Sequence, residues 1–176
     1  YPKANGPAIG GGLAGFRTSQ RQQTREDYGG LRMDHTLSSK DLLLARYVAD
    51  DSHSLVPFAS TAIPGFPSTR DITNHYGLLG WQHVSSPALL FDTRFSFNRT
   101  AMDTRPAAGQ PNLSISLVPG RDLGAIAVSG LPQLGNSLVT PASSYSNRFE
   151  FIENVSVQAG AHTLRVGVDY RRMLGD

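Results

Sequence analysis

Hydrophobic and polar residues alternate in several segments of the chain, most visibly in LLFDTRFSFNRT, residues 89–100. Read in twos, one side of this predicted strand carries Leu89, Phe91, Phe95 and Phe97, interrupted only by Thr93. The opposite side carries Asp92, Arg94, Ser96 and Asn98. A strand with two unlike faces fits a soluble sheet whose apolar face meets a core. It fits equally a membrane barrel, in which the apolar face meets lipid and the polar face lines an aqueous lumen.

The same alternation predicts three hairpins, at residues 31–50, 73–100 and 147–173. Their turns are placed at the short polar or glycine-containing stretches SSKD, SSPA and GA. Residues 51–72 and 101–146 have no sustained period and are rich in Pro, Gly and Ser, so they are predicted to be long loops. Residues 1–30 are predicted to be a loop as well. Short and long connections therefore alternate along the chain.

A glycine motif in the first loop resembles a nucleotide-binding signal but lacks its context. Gly10, Gly12 and Gly15 satisfy the spacing GxGxxG. That motif binds a dinucleotide only where a strand leads into it and a helix follows, and neither pattern is present here. No cofactor is predicted at this position.

The alternation of connections favours a membrane barrel over a soluble sandwich. About six strands of about ten residues are predicted, which is the length that crosses a tilted bilayer. Outer-membrane barrels keep their periplasmic turns short and their extracellular loops long, whereas soluble sandwiches separate the two kinds of connection less strictly. The predicted fold is all-β: a segment of an antiparallel up-and-down transmembrane β-barrel. Six strands are too few to close a barrel, so we expect the chain to be part of a larger one.

The two faces supply the candidate functional residues. Charged residues in the middle of strands are predicted to face the lumen; these candidates are Asp92, Arg94, Arg165, Asp169 and Arg171. The residues predicted to face lipid or to form the aromatic girdles are Trp81, Phe91, Phe95, Phe97, Val166, Val168 and Tyr170. In the alternative soluble sheet, the same aromatic residues would belong to an ordinary core.

Composition excludes several classes of function. The formal net charge is +2 and the basic residues are scattered, so no nucleic-acid partner is expected. No segment approaches the roughly 18 apolar residues of a membrane-spanning helix. The five histidines do not stand at ligand spacings, which argues against a metal site. The chain has no GxSxG nucleophile motif, so no enzymatic activity is predicted. It opens on Tyr1 without an export signal, and we expect it to be a piece of something longer.

Three motifs, taken in order, resemble a known family. The segments are RMDHTLSSKDLLLARYVADD, LLGWQHVSSPALLFDTRFSFNRT and FEFIENVSVQAGAHTLRVGVDYRR. They are similar to consecutive barrel hairpins of TonB-dependent outer-membrane receptors, in the Oar-like group that carries a carboxypeptidase-regulatory-like domain. The first match includes Asp34, His35, Ser38, Asp41, Leu43, Arg46 and Tyr47. The second includes Trp81, His83, Ser86, Pro87, Leu89, Arg94, Phe97, Asn98 and Arg99. The third includes Gly160, His162, Leu164, Arg165, Gly167, Asp169, Arg171 and Arg172.

The resemblance implies a function and a set of partners. Such receptors are 22-stranded barrels filled by a plug. The TonB complex drives them in the bacterial outer membrane to import a scarce or large substrate. The implied partners are the remainder of the barrel, the plug, the TonB complex acting through the plug, outer-membrane lipid and a transported ligand whose identity the sequence leaves open. The rival interpretation is a soluble secreted β-rich binding or adhesion module.

Overall fold

The computed structural model describes residues 1–58, 63–107 and 116–176, and within these ranges every regular element is a β-strand. The strands are β1 (Ala8–Gly10), β2 (Leu13–Ala14), β3 (Gln23–Thr36), β4 (Asp41–Val56), β5 (Ser68–Ser86), β6 (Leu89–Pro106), β7 (Ala142–Ala159) and β8 (His162–Gly175). Strands β1 and β2 form a small hairpin, and the other six form one antiparallel sheet in the order β3-β4-β5-β6-β7-β8. The predicted all-β fold is therefore confirmed. No helix in the described ranges is long and apolar enough to cross a membrane.

Three tight connections join the strands of the large sheet in pairs. The first lies between β3 and β4, where the Ser38 hydroxyl donates to Asp41 Oδ2 at 2.6 Å and accepts the Lys40 N–H at 3.0 Å. The second is the Pro87–Ala88 turn between β5 and β6. The third contains Gly160, whose φ of 61° lies in the left-handed region that glycine adopts without steric cost. These connections lie at the SSKD, SSPA and GA stretches.

The strands extend further than the alternation of hydrophobic residues predicts. The prediction of a loop over residues 1–30 is wrong in two places, because Ala8–Ala14 form the β1-β2 hairpin and β3 begins at Gln23. The glycines of the GxGxxG motif contribute its turn, with positive φ at Gly10 and Gly12.

The two long loops are correspondingly shorter than predicted. The first begins only after Val56 and ends at Ser68, and the second begins after Pro106 and ends at Ala142. Residues 59–62 of the first and residues 108–115 of the second lie outside the described part of the chain. The added strand ends are mostly polar and their few apolar residues do not alternate regularly, so the sequence lacks the period-2 signal by which a strand is recognised.

The described residues divide into two compact units. The loop unit comprises residues 1–25, 52–71 and 103–143, and the sheet unit comprises residues 26–51, 72–102 and 144–176. The loop unit has a small core, in which Ile63, Phe66, Ala107 and Leu123 are buried. Within it Asn136 Nδ2 donates to the Leu123 carbonyl oxygen at 2.9 Å.

The sheet unit has no such core. None of its described hydrophobic side chains is buried, and many remain widely exposed, including Phe95 at 45%, Val166 at 58% and Val168 at 62%. A soluble sheet would bury one face against another layer of structure. In this unit the apolar side chains of the sheet do not converge on a shared centre.

Candidate functional site

The register of β7 and β8 separates two unlike faces of the sheet. On one face, Phe151 is paired with Tyr170, Val155 with Val166 and Val157 with Leu164. On the other face, Glu150 is paired with Arg171, Ile152 with Asp169 and Ser156 with Arg165. Side chains that are partners across an antiparallel ladder lie on the same side of the sheet, so the alternation of each strand is reinforced by its neighbour.

The polar face is the side of the sheet unit that carries Arg32, Asp34, Asp92, Arg94, Ser96, Glu150, Ser156, Arg165, Asp169 and Arg171. Shallow concavities of about 320 and about 130 Å³ lie on this face. The larger one contains side chains of β3, β4, β5 and β6, and the smaller one continues across β5, β6 and β7 to Glu150. The two concavities share Arg94, and Leu42, Leu44, Leu78 and Ile152 lie among their charged and polar residues.

Ion pairs between residues two apart on one strand recur along the polar face. Arg94 donates through Nε to Asp92 Oδ1 at 3.0 Å and through Nη2 to Asp92 Oδ2 at 2.9 Å. Arg32 makes the same two-bond contact with Asp34, at 2.7 and 3.0 Å. Residues two apart on a strand point to the same side, so each pair keeps its charges on one face. The guanidinium and carboxylate groups stay in contact with solvent and balance each other there.

A third charge cluster joins three strands. Arg171 donates to Glu150 and, at 2.6 Å, to Asp169 Oδ2. The Ser96 hydroxyl donates to Glu150 Oε2 at 3.2 Å, which adds β6 to the contact between β7 and β8. Arg165 makes a separate contact on the same face, in which its Nε donates to the Ser156 hydroxyl at 3.2 Å.

The apolar face is the opposite side of the sheet unit. It carries Leu31, Met33, Tyr47, Leu79, Phe95 and Phe97, and continues through Phe149, Phe151, Val155, Val157, Leu164, Val166, Val168 and Tyr170. The rings of Phe97 and Phe149 lie 5.0 Å apart and link β6 to β7. One polar contact interrupts the face, where the Thr93 hydroxyl donates to Glu153 Oε2 at 2.5 Å.

Polar and aromatic groups bound the apolar face next to the short turns. Trp81 Nε1 and His83 Nδ1 donate to Asp41 Oδ1, at 3.1 and 2.7 Å. The ring of His83 lies 5.2 Å from that of Trp81 and 6.3 Å from that of Phe91. Asp41 is the first residue of β4, outside the apolar stretch. Its hydrogen bonds from Ser38, the larger cause, and from His83 hold the pKa of its carboxyl group below its ordinary value.

Comparable groups bound the apolar face towards the other end of the strands. The Tyr47 hydroxyl lies 2.7 Å from His75 Nδ1, and the two rings are stacked with centroids 6.1 Å apart. The Arg99 guanidinium lies 5.5 Å from the centre of the Tyr145 ring and donates to Asn147 Oδ1 at 3.1 Å. Aromatic rings with a polar tip thus mark both limits of the apolar face.

The structure brings the candidate residues together in two separate sets. Asp92, Arg94, Arg165, Asp169 and Arg171 lie on the polar face. Trp81, Phe91, Phe95, Phe97, Val166, Val168 and Tyr170 lie on the apolar face or at its limit. Arg32, Asp34 and Glu150 also lie on the polar face but were not among the lumen-facing candidates named from the sequence. The Arg32–Asp34 pair could have been recognised in the sequence, because its two residues stand two apart on one strand. The partners of Glu150 lie on β6 and β8, so only the pairing of strands reveals them. In the described residues no group of three or more His, Asp or Glu side chains could hold a metal ion.

Asp41 generates a prediction about pH dependence. Its folded-state pKa is lowered, so its contribution to stability is present above the unfolded pKa of about 4 and is lost as pH falls through the folded value. We expect Asp41→Asn to lower the urea midpoint of unfolding near neutral pH and to flatten its decline between about pH 5 and about pH 3. Asp122→Asn, at an exposed aspartate of the loop unit, is the control and should leave the profile unchanged. Identical pH profiles for wild type and Asp41→Asn would contradict the assignment.

Comparison with known proteins bears on these two faces. A family model described as an outer membrane beta barrel domain matches residues 1–176. No curated protein and no solved structure matches the chain.

Proposed function

The chain belongs to the family of outer membrane β-barrel domains and is located in the bacterial outer membrane, and on this premise we propose that it forms part of the barrel wall of a TonB-dependent receptor. The observation that carries the proposal is the separation of an exposed apolar face from a charged face on a sheet without a hydrophobic core. The proposed role is transport of a scarce or large substrate, without a catalytic step.

In this proposal, the apolar face meets lipid and the polar face lines the lumen. Exposed side chains such as Val166 and Val168 cost little against hydrocarbon, whereas the same exposure to water forgoes the free energy of burial. The reverse orientation would place the Asp92–Arg94 and Asp169–Arg171 pairs in lipid. A basic residue costs about 2–4 kcal/mol at the bilayer midplane of a barrel, so this orientation is disfavoured.

The dimensions of the apolar face fit a bilayer. Eight residues separate Phe91, at one limit, from Arg99, at the other, which corresponds to about 26 Å along the strand. A strand tilt of about 40° reduces this to about 20 Å along the membrane normal, close to the roughly 25 Å apolar band of known barrels. Trp81 and His83 at one limit and Tyr47, His75 and Tyr145 at the other have the amphipathic rings that suit the two interfaces.

The remainder of the barrel is the first proposed partner. Strands β3 and β8 are the two edges of the six-stranded sheet, and their residues are exposed along their whole length. Unpaired backbone N–H and C=O groups cost several kcal/mol each in hydrocarbon. We therefore propose that further strands pair with both edges and close the barrel.

The plug and the TonB complex are proposed from the three sequence motifs. Those motifs coincide with the three short hairpins, including the Trp81–His83–Asp41 contact and the Asp169–Arg171 pair. The charged polar face would then lie against the plug, which offers fixed partners for its arginines and carboxylates. Capture of the substrate is assigned to the plug and to the outer loops.

A soluble secreted binding module remains the second candidate. The buried residues of the loop unit favour it, because Ile63, Phe66 and Leu123 show that these loops contain packed structure that could recognise a partner. It requires the apolar face of the sheet unit to tolerate water, which the exposure of its large side chains disfavours.

Trp81 provides the direct test of lipid contact. It is the only tryptophan of the chain, so its fluorescence reports one position. In bilayers whose acyl chains carry bromine atoms, we expect Trp81 emission to be quenched relative to bilayers with ordinary chains, because its ring lies at the lipid interface. Iodide added to the water phase should quench it less than it quenches free tryptophan. Full quenching by iodide with no effect of brominated lipid would support the soluble module.

Neighbouring residues on opposite faces provide the energetic test. Phe151 lies on the apolar face and Ile152 on the polar face opposite Asp169. We expect Phe151→Arg to lower the free energy of folding into bilayers by about 2–4 kcal/mol. Ile152→Arg should have a much smaller effect, because the new guanidinium meets water and the Asp169 carboxylate. Urea titrations of the two variants in liposomes measure the difference, and equal losses would refute the assignment of faces.

The complete sequence of the reading frame that encodes this chain provides a test of the assignment to TonB-dependent receptors. We expect a plug domain with a TonB box in the same frame, ahead of the barrel strands. Sequencing the complete frame provides the measurement. A frame with an outer-membrane barrel and no plug would retain the barrel role and refute TonB-dependent transport.

A further inference from the structure

A groove of about 340 Å³ crosses the apolar face between β3 and β6. Its lining is formed by Leu31, Met33, Ala45, Tyr47, Gly77, Leu78, Leu79, Phe95 and Phe97, together with Arg46 as its one charged residue. The groove exists because two small residues, Ala45 and Gly77, lie among large ones. A Cβ atom placed on Gly77 would meet no other atom within 4 Å, so the space above this residue is open. The surface of the groove is almost entirely apolar.

Polar groups lie just beyond one end of the groove. The Tyr47 hydroxyl, at the groove wall, is hydrogen-bonded to His75. Asn74 Oδ1 accepts a hydrogen bond from the Thr100 hydroxyl at 2.8 Å, so the residues next to them, His75 and Arg99, are neighbours across β5 and β6. Arg99 lies two residues beyond Phe97 and therefore on the same face of β6.

Arg99 places a cation on the apolar face at this end. Its guanidinium contacts Asn147 and the Tyr145 ring, both of which are uncharged. Three arginines of the polar face, Arg32, Arg94 and Arg171, are each paired with a carboxylate, whereas Arg165 donates to the Ser156 hydroxyl. Within the described part of the chain no carboxylate neutralises Arg99. Its charge is therefore available to an anion at the membrane interface.

We propose that this groove binds one acyl chain of a membrane lipid whose anionic phosphate head group is held by Arg99. The inference rests on the proposed lipid contact of the apolar face and adds a defined site to it. A hydrocarbon chain suits the apolar lining of the groove, and a phosphate complements the guanidinium beyond its end. His75 and Tyr47 supply further hydrogen-bonding groups at the level of the head group. The site distinguishes this lipid from those that merely surround the barrel.

Native mass spectrometry of the purified protein tests the site. Protein stripped of lipid is mixed with dioleoylphosphatidylglycerol or dioleoylphosphatidylcholine, which share acyl chains and differ in net charge. We expect one retained lipid, with about a fivefold preference for phosphatidylglycerol, the effect of one basic residue near an anionic head group. Arg99→Gln should abolish the preference. Arg165→Gln, which removes a cation from the polar face, is the matched control and should retain it.

Filling the groove tests the acyl-chain contact separately. Gly77→Leu and Ala45→Leu each place a side chain in the groove, and both should reduce retention of either lipid. Ala159→Leu makes the same change as Ala45→Leu at a residue of the apolar face outside the groove and should have no effect. Two filling variants are used so that a folding defect in one leaves the other informative. Retention unchanged in the folded filling variants, or an equal lipid preference in wild type and Arg99→Gln, would overturn the proposal.

The outcome separates this site from the proposed function. If brominated lipid quenches Trp81 but no lipid is retained in mass spectrometry, the apolar face contacts lipid and the groove proposal fails. If Trp81 is not quenched, the lipid-facing assignment fails and the groove proposal fails with it.

Discussion

None of the described hydrophobic side chains of the sheet unit is buried, and this constraint shapes the rest of the structure. Among the described residues of the loop unit, Ile63, Phe66, Ala107 and Leu123 are buried in a small conventional core. In the sheet unit, valine and phenylalanine side chains stay exposed on a face that extends across the strands. A face of this kind is stable only where the surrounding medium is itself apolar. The family of the chain supplies that medium, since it is a family of outer-membrane domains.

The polar face follows from the same constraint. Backbone hydrogen bonds fix the sheet, so side chains that cannot face lipid must share the opposite side. The charges there are arranged locally: arginine and aspartate two residues apart on one strand, as in Arg32–Asp34 and Asp92–Arg94. The cluster of Glu150 with Arg171, Asp169 and Ser96 ties β6, β7 and β8 together. The contacts of Asn74 with Asp50 and Thr100 do the same for β4, β5 and β6. The face thus keeps a dense but balanced set of charges in a water-compatible surface.

The sequence predicts those parts of the fold that local periodicity controls. Alternation along a strand placed Phe91, Phe95, Val166 and Val168 on one side and Asp92 and Arg94 on the other, because side-chain direction has a period of two. Alternation could not show how far a strand continues where its residues are polar on both sides. For this reason the start of β3 at Gln23 was not predicted. The groove at Gly77 could not be predicted from the sequence either. Gly77 and Ala45 belong to different strands, and only the register between these strands brings them together.

The order of the strands has a consequence for how the sheet can form. Each of the six strands pairs with its nearest neighbours along the chain, so the sheet is a simple meander without crossovers. The three short turns leave only two to four residues between paired strands, and closing such short loops costs little entropy. Assembly can therefore proceed by adding one hairpin at a time to a growing edge. A newly added hairpin needs no distant part of the chain to be in place first.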